Sequence, residues 1–262
     1  MSKKPPFPPT RPTRAIALVV FPDFQLLDAA GPIAAFEIAA RFAPSAYRLR
    51  VLSLEGGAVR SSSGVAMLTE SLKGFSFARV DTLMAVGGQG TRKAAIEPAM
   101  QRALQRAAKQ VRRISSVCSG TFLLAAAGLV DGKRVTTHWR HAALLQRLMP
   151  DVRVEQDHIY VKDGAVWTSA GVSAGIDLAL AMIAKDLGPE VAKDVAREMV
   201  VYAQRPGGQT QHSSLLEIDA PGGRFAALHA WMRDHLAEDL KVEQLAAQAA
   251  MSPAQFHARL CA

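Results

Sequence analysis

Between Ala15 and Tyr202 short apolar runs alternate with longer helical patterns, and that alternation restricts the fold more than any other feature of the chain. "AIALVVF" (15–21) is a continuous apolar run of strand length, as expected of a strand buried on both faces. A loop follows, then a helix expected to begin around Pro32, because proline suits a first helical turn. "YRLRVLSLEGG" (47–57) alternates polar and apolar residues and closes on Gly56-Gly57, which predicts a second strand. "VDTLMAVGGQG" (80–90) is another apolar run, ending in a glycine cluster. "RRISSVC" (112–118) predicts a short strand that stops at a cysteine. A helix halted near Gly128 and a short strand at 134–138 come next. "HIYVKDGAVWTSAG" (158–171) reads as a hairpin about Lys162-Asp163-Gly164, and 174–202 is helical with a break at Gly188-Pro189. Such an order predicts an α/β fold: an open, mostly parallel sheet with helices on both faces. Its binding crevice would open at the carboxyl ends of the strands, where Gly87-Gly88-Gln89-Gly90 and Cys118-Ser119-Gly120 both fall.

The 262 residues, 49% hydrophobic and 21% charged, suffice for one large α/β domain and a smaller unit. No apolar run approaches the roughly 18 residues of a membrane span, so no membrane partner is expected. Residues 1–13 contain prolines and the bases Lys3, Lys4 and Arg11, and are expected to form a flexible, exposed lead-in without a secretory signal. Cys118 and Cys261 are the only cysteines, which argues against a disulfide framework and for a reducing cytoplasm. A net charge of +8 permits contact with nucleic acid but identifies no partner. Between Arg92 and Arg113 seven Lys/Arg face one acid, Glu97, with apolar residues at helical spacing (Met100, Ala103, Leu104, Ala107). That run reads either as a solvated helix face or as an anion-facing surface.

Ser116-Val117-Cys118-Ser119-Gly120 has the small-x-nucleophile-x-small layout of a strand-to-helix elbow. On such a turn the following helix would aim free N–H groups at the sulfur and lower its pKa. Those N–H groups, with one from Gly88, would stabilise an oxyanion. The competing reading is a buried, inert cysteine.

"SSVCSGTFLLAAAGLVDGKRVTTHW", with "FPDFQLLDAAGP" before it and "VWTSAGVSAGIDLALAMI" after it, resembles the ThiJ/PfpI superfamily of class I glutamine-amidotransferase-like domains. The likeness spans about residues 14–203 and is closest to the GlxA-like branch fused to an AraC-type DNA-binding unit. It implies a flavodoxin-like sheet and a pocket at Cys118, with Asp28 as the acid beside the sulfur and His138 as the superfamily histidine nearby. Gly88, Ser119, Gly120 and Thr121 would line the ligand site. A carboxyl facing a thiolate would be pushed toward its protonated form. The reading of Asp28 from its position alone is a helix N-cap or turn acid. His138 and His141 have no acidic or thiol neighbours to complete a metal set, so neither metal nor cofactor is expected. Two departures weaken hydrolysis: Ser119 stands where hydrolytic relatives often carry histidine, and Ala34 where a related pattern has Glu.

Residues 204–224 are rich in Gly, Pro, Ser and Gln and read as a linker. In 225–262, "LKVEQLAAQAAMSPAQFHARL" has the rhythm of a helix-turn-helix, with Ser252-Pro253 opening its second helix. It resembles the first helix-turn-helix of AraC-type units, preceded by the packing helix "LHAWMRDHLAED". The resemblance would turn Ser252, Gln255, His257 and Arg259 toward DNA. An ordinary helical pair is the alternative. AraC-type units carry two such elements, so this segment is expected to be a partial one. Its four bases balance four acids from Pro221 onward, which predicts weak DNA binding.

Three functions follow as expectations. The first is a dimeric regulator whose α/β domain senses a small, nitrogen-containing metabolite and whose partner is DNA if the C-terminal unit is complete. The second is a hydrolase or isonitrile hydratase-like enzyme using Cys118 and Asp28. The third is a redox or electrophile sensor built on a low-pKa Cys118.

Overall fold

The first apolar run forms β1 (Arg14–Val19), with Ile16 to Val19 fully buried because layers cover the sheet on both faces. In this computed structural model the described residues are 12–202, 204–208, 210–211, 225–235 and 237–260, without the side chains of 226, 233, 259 and 260. The basic lead-in up to Arg11, most of the linker (212–224), Cys261 and the side chain of Arg259 therefore lie outside the described residues.

After β1 come α1 (Leu26–Phe42), β2 (Tyr47–Ser53), β3 (Gly57–Arg60), β4 (Ala66–Ser71) and β5 (Val80–Ala85). Then follow α2 (Thr91–Ala95), α3 (Pro98–Ala108), β6 (Arg113–Val117), a single tight turn at Cys118–Gly120, and α4 (Thr121–Ala126). The remainder of this unit is β7 (Arg134–Val135), α5 (Trp139–Leu148), β8 (Arg153–Val154), β9 (Tyr160–Asp163), β10 (Val166–Ser169), α6 (Ala174–Leu187) and α7 (Pro189–Glu198). Eight strands make one sheet in the order β3-β4-β2-β1-β5-β6-β10-β9. Six of them run parallel, and β3 and β9 are antiparallel at the two edges. The core order β2-β1-β5-β6-β10 is flavodoxin-like, with its switch point between β1 and β5.

Helix α1 begins six residues before Pro32, contrary to the expected start. Phe24 bridges both Ser61 and Gly88, and the Gln25 N–H donates to the Gly87 carbonyl at 2.8 Å, so the chain is pinned at the sheet end and turns helical at once. Pro32 then sits inside the helix, where it offers no N–H to the Asp28 carbonyl. Strand β7 is shorter than predicted, because Thr136 and Thr137 leave it to bond the cysteine turn and β10. The hairpin β3–β4, unassigned in the sequence, is a short edge pair with Leu68 83% exposed, too brief and too open to show a hydrophobic period.

The basic run at 92–113 divides. Helix α3 buries Met100, Ala103, Leu104 and Ala107 and leaves Arg102 and Lys109 exposed. Arg112 and Arg113 instead join an ionic cluster with Asp81 and Asp186 at the amino ends of the strands, where Arg113 also lies over the Trp167 ring at 5.3 Å.

Residues 204–208 and 210–211, at the start of the expected linker, belong to this α/β unit. The Arg205 guanidinium donates to the Asp177 carboxylate at 2.6 and 3.0 Å. The chain divides into two compact units at Gln211/His212. The second holds α8 (Ala226–Asp234), α9 (Val242–Gln248) and α10 (Pro253–Leu260), packed about Leu228, Ala246 and Phe256.

Candidate functional site

Strand β6 runs directly into the turn that carries Cys118, and the cysteine takes a left-handed backbone (φ 57°). A non-glycine residue held there stores on the order of 1–3 kcal/mol, and the surroundings must over-determine it. They do so with glycines. A Cβ on Gly120 would lie 2.2 Å from the Ala85 carbonyl oxygen, and one on Gly87 2.7 Å from the Ser119 nitrogen. Gly171 (φ 98°) covers the cysteine so closely that a Cβ there would meet the Cys118 Cβ at 2.1 Å. The expected elbow is present.

Asp28, in the first turn of α1 and fully buried, reaches this turn. One carboxylate oxygen accepts the Val172 N–H at 2.7 Å and the other the Gly87 N–H at 3.2 Å, and the side chain hydrogen-bonds to Cys118. It is therefore no helix cap; it ties three loops together under the sulfur. Burial raises its pKa to about 6, against the N–H bonds and the thiol contact, which favour the anion.

Burial also pushes the Cys118 thiol up to about 12, and the neighbouring Asp28 charge adds to the rise. The Ser119 N–H and hydroxyl, both directed at the sulfur, oppose it and lose. This corrects the expectation of a lowered thiol pKa: α4 is only six residues long, and a cysteine residue only 9% exposed answers to desolvation first. The raised thiol speaks against the low-pKa premise of the redox or electrophile sensor.

The residues expected to line a ligand site separate into two groups. The Gly88 N–H, expected to hold an oxyanion, donates to Ser119 Oγ at 3.0 Å, and Thr91 Oγ1 lies 2.8 Å from the same oxygen. Gly120 and Thr121 are buried supports of the elbow, the Thr121 hydroxyl donating to the Thr136 carbonyl at 2.9 Å. His138 is half-buried at the N-cap of α5, where its Nδ1 accepts the Arg140 N–H at 3.3 Å. It lines a cavity of about 160 Å³ with Trp139, Gly171, Val172, Arg205 and Gln211. The backbone of Gly171 and Val172 thus stands between this cavity and the Cys118–Asp28 pair.

Sequence reasoning missed Gly171, Val172 and Gln211. Gln211 Nε2 lies 3.0–3.1 Å from the carbonyls of Thr137, Gln156 and His158, and its Oε1 accepts the Trp139 N–H. A glutamine in a polar, aperiodic stretch carries no signal for that role. A larger cavity of about 650 Å³ opens at the carboxyl ends of β1 and β2, lined in part by Asp23, Arg60, Lys93 and Met100; neither Cys118 nor Asp28 lines it. Among the described residues no group of three or more His, Cys, Asp or Glu is placed to hold a metal ion.

In the C-terminal unit Ser252 and Gln255 cap α10 reciprocally: the Gln255 N–H donates to Ser252 Oγ (3.3 Å) and the Ser252 N–H to Gln255 Oε1 (3.2 Å). Both side chains are exposed but engaged in the cap, while His257 is exposed on the same helix.

Residues 14–185 match the model of the DJ-1/PfpI family. The chain belongs to that family. Among its relatives, the HTH-type transcriptional regulator CdhR of Pseudomonas aeruginosa is 32% identical over 72% of this chain and 55% of its own length. The HTH-type transcriptional regulator GbdR of the same species is 28% identical over 95% of this chain and 68% of its own. Isonitrile hydratase of Pseudomonas putida is 32% identical over 73% of this chain and 79% of its own. The chain thus spans about half of CdhR and two thirds of GbdR. A solved ThiJ/PfpI family protein from Pseudomonas syringae shares the fold, with a TM-score of 0.66 at 24% identity over 90% of each chain. The relatives of this chain thus include named transcriptional regulators and a named hydratase.

Proposed function

We propose that this DJ-1/PfpI chain is a ligand-sensing transcriptional regulator. Its α/β unit would bind a small nitrogen-containing metabolite beside Cys118, and its C-terminal helices would contact DNA. One observation carries the reading: a second compact unit, with three helices among its described residues and its own apolar cluster, follows the DJ-1/PfpI unit in the same chain, and the likeness to GbdR runs through both. The His138 cavity, separated from the sulfur only by Gly171 and Val172, supports binding in preference to attack. In this reading α10 presents His257 to DNA, and the protein works as a dimer.

The second reading, a cysteine-dependent hydratase or hydrolase, rests on the Asp28–Cys118 contact and on the named isonitrile hydratase among the relatives. A panel of small amines, amides and isonitriles separates the two. A regulator shows a saturable rise in Tm with no product, and keeps it in Cys118→Ala. An enzyme shows turnover that Cys118→Ala abolishes. The raised thiol adds an independent check: at pH 8 its thiolate fraction is about a thousandfold below that of an ordinary thiol, so iodoacetamide should label Cys118 correspondingly slowly. Rapid labelling at neutral pH would instead mark a reactive thiol, as an enzyme or an electrophile sensor requires.

A further inference from the structure

Strand β2 lies inside the sheet, between β4 and β1, yet carries Arg48 and Arg50. Interior strands of a parallel sheet covered on both faces are ordinarily apolar throughout. The register pairs Ala15 with Arg48, Ala17 with Arg50 and Ala15 with Val80, so these residues share one face of three adjacent strands. The small Ala15 opposite Arg48 leaves space there. A cleft of about 300 Å³ fills it, at the amino ends of the strands and so at the opposite end of the sheet from Cys118. Arg48, Arg50 and Arg79 line it, with the hydroxyl-bearing Thr13 and Ser76.

The charges in this cleft are unbalanced. Arg50 is fixed by a two-pronged pair with the Glu70 carboxylate and lies over the Phe75 ring at 4.6 Å. Arg48 and Arg79 are exposed and form no ion pair among the described residues. No acid lines the cleft itself. Two uncompensated guanidinium groups beside a third repel one another until an anion enters. Their planar, forked donors match the oxygens of a phosphate group, which accepts two parallel N–H bonds from each.

We propose that this cleft is a binding site for a phosphate-bearing anion, gripped by Arg48 and Arg79 against the fixed Arg50. The site is separate from the Cys118 pocket and does not depend on the regulator reading. Two sources supply such a group: a small diphosphate-like metabolite, or the backbone of a nucleic acid.

The test uses the full 262-residue chain, the double variant Arg48→Ala/Arg79→Ala, and a control, Arg102→Ala/Lys109→Ala, that removes the same charge from the exposed face of α3 and its C-terminal cap. All four positions are exposed, so folding should persist. Sodium pyrophosphate is titrated at constant ionic strength while Tm is followed, and a labelled random-sequence duplex is titrated by anisotropy at several salt concentrations. For a small anion, pyrophosphate raises Tm saturably in the wild type and the control, and the double variant needs at least about tenfold more. For a nucleic-acid backbone, the double variant loses about two units of salt slope that the control keeps. The proposal is overturned if the wild type answers neither probe. It also fails if the double variant matches the wild type in both, or if the control loses as much as the double variant.

Discussion

Asp28 shows how one carboxylate can be read three ways. Its sequence position suggests a helix cap, the family resemblance suggests a partner of the sulfur, and the structure makes it a buried acceptor of two backbone N–H groups that also touches Cys118. Its pKa, raised from 3.8 to about 6, carries a stability consequence. The folded state holds the proton more tightly than the unfolded state, so stability is fully present below pH 4 and is lost as pH rises through 6. Relative to Asp28→Asn, which cannot titrate, the wild type should lose about 2–3 kcal/mol between pH 4 and pH 7. Urea unfolding of both proteins across that range checks it, and a constant gap between them would refute the raised pKa. The pairing of Asp28 with Cys118 was legible only through the motif resemblance. Residues 90 apart in sequence meet because the loop after β1 and the loop after β6 end on the same edge of the sheet.

At the scale of elements, the strands and long helices were legible because burial on two faces or one leaves a period in the sequence. Where an element answers to something other than burial, the period misleads. Helix α1 starts early because Phe24 and Gln25 are pinned to the Gly87–Gly88 loop, not because of any residue inside the helix. The end of α7 shows a similar override. Val200 takes φ 54° while 88% exposed, and the N–H groups of Val200 and Val201 return to the carbonyls of Arg197 and Ala196. This closing turn favours glycine, and a β-branched residue there is strained without packing to offset it. Val200→Gly should therefore stabilise the α/β unit by about 1 kcal/mol, seen as a Tm rise of about 2–4 °C. A fall in Tm would mean that the valine makes a contact worth more than the strain.

At the scale of the molecule, the chain's division falls at Gln211 rather than at the first polar stretch, because Arg205 and Gln211 satisfy groups that the α/β unit cannot satisfy alone. Asp177 is buried, and without Arg205 its carboxylate would lose its cation. A chain ending at residue 211 should melt as the α/β unit of the full protein does. One ending at 203 should melt about 5–10 °C lower, the shift expected for losing a partly buried pair worth about 2–3 kcal/mol. Equal melting temperatures for the two would show that 204–211 contribute nothing. By itself the sequence determined the fold class, the strand–cysteine–helix turn and the helical nature of the C-terminal segment, since each follows from local period, small-residue spacing or capping chemistry. Only the tertiary structure decided the rest. It buried Cys118 deeply enough that desolvation outweighs the helix end, and it set Gly171 and Val172 between the sulfur and the His138 cavity. It also brought Arg48, Arg50 and Arg79 to one cleft. Those outcomes depend on which loops meet at each end of the sheet, and electrostatic energies follow distance and burial in space, to which a linear sequence gives no direct access.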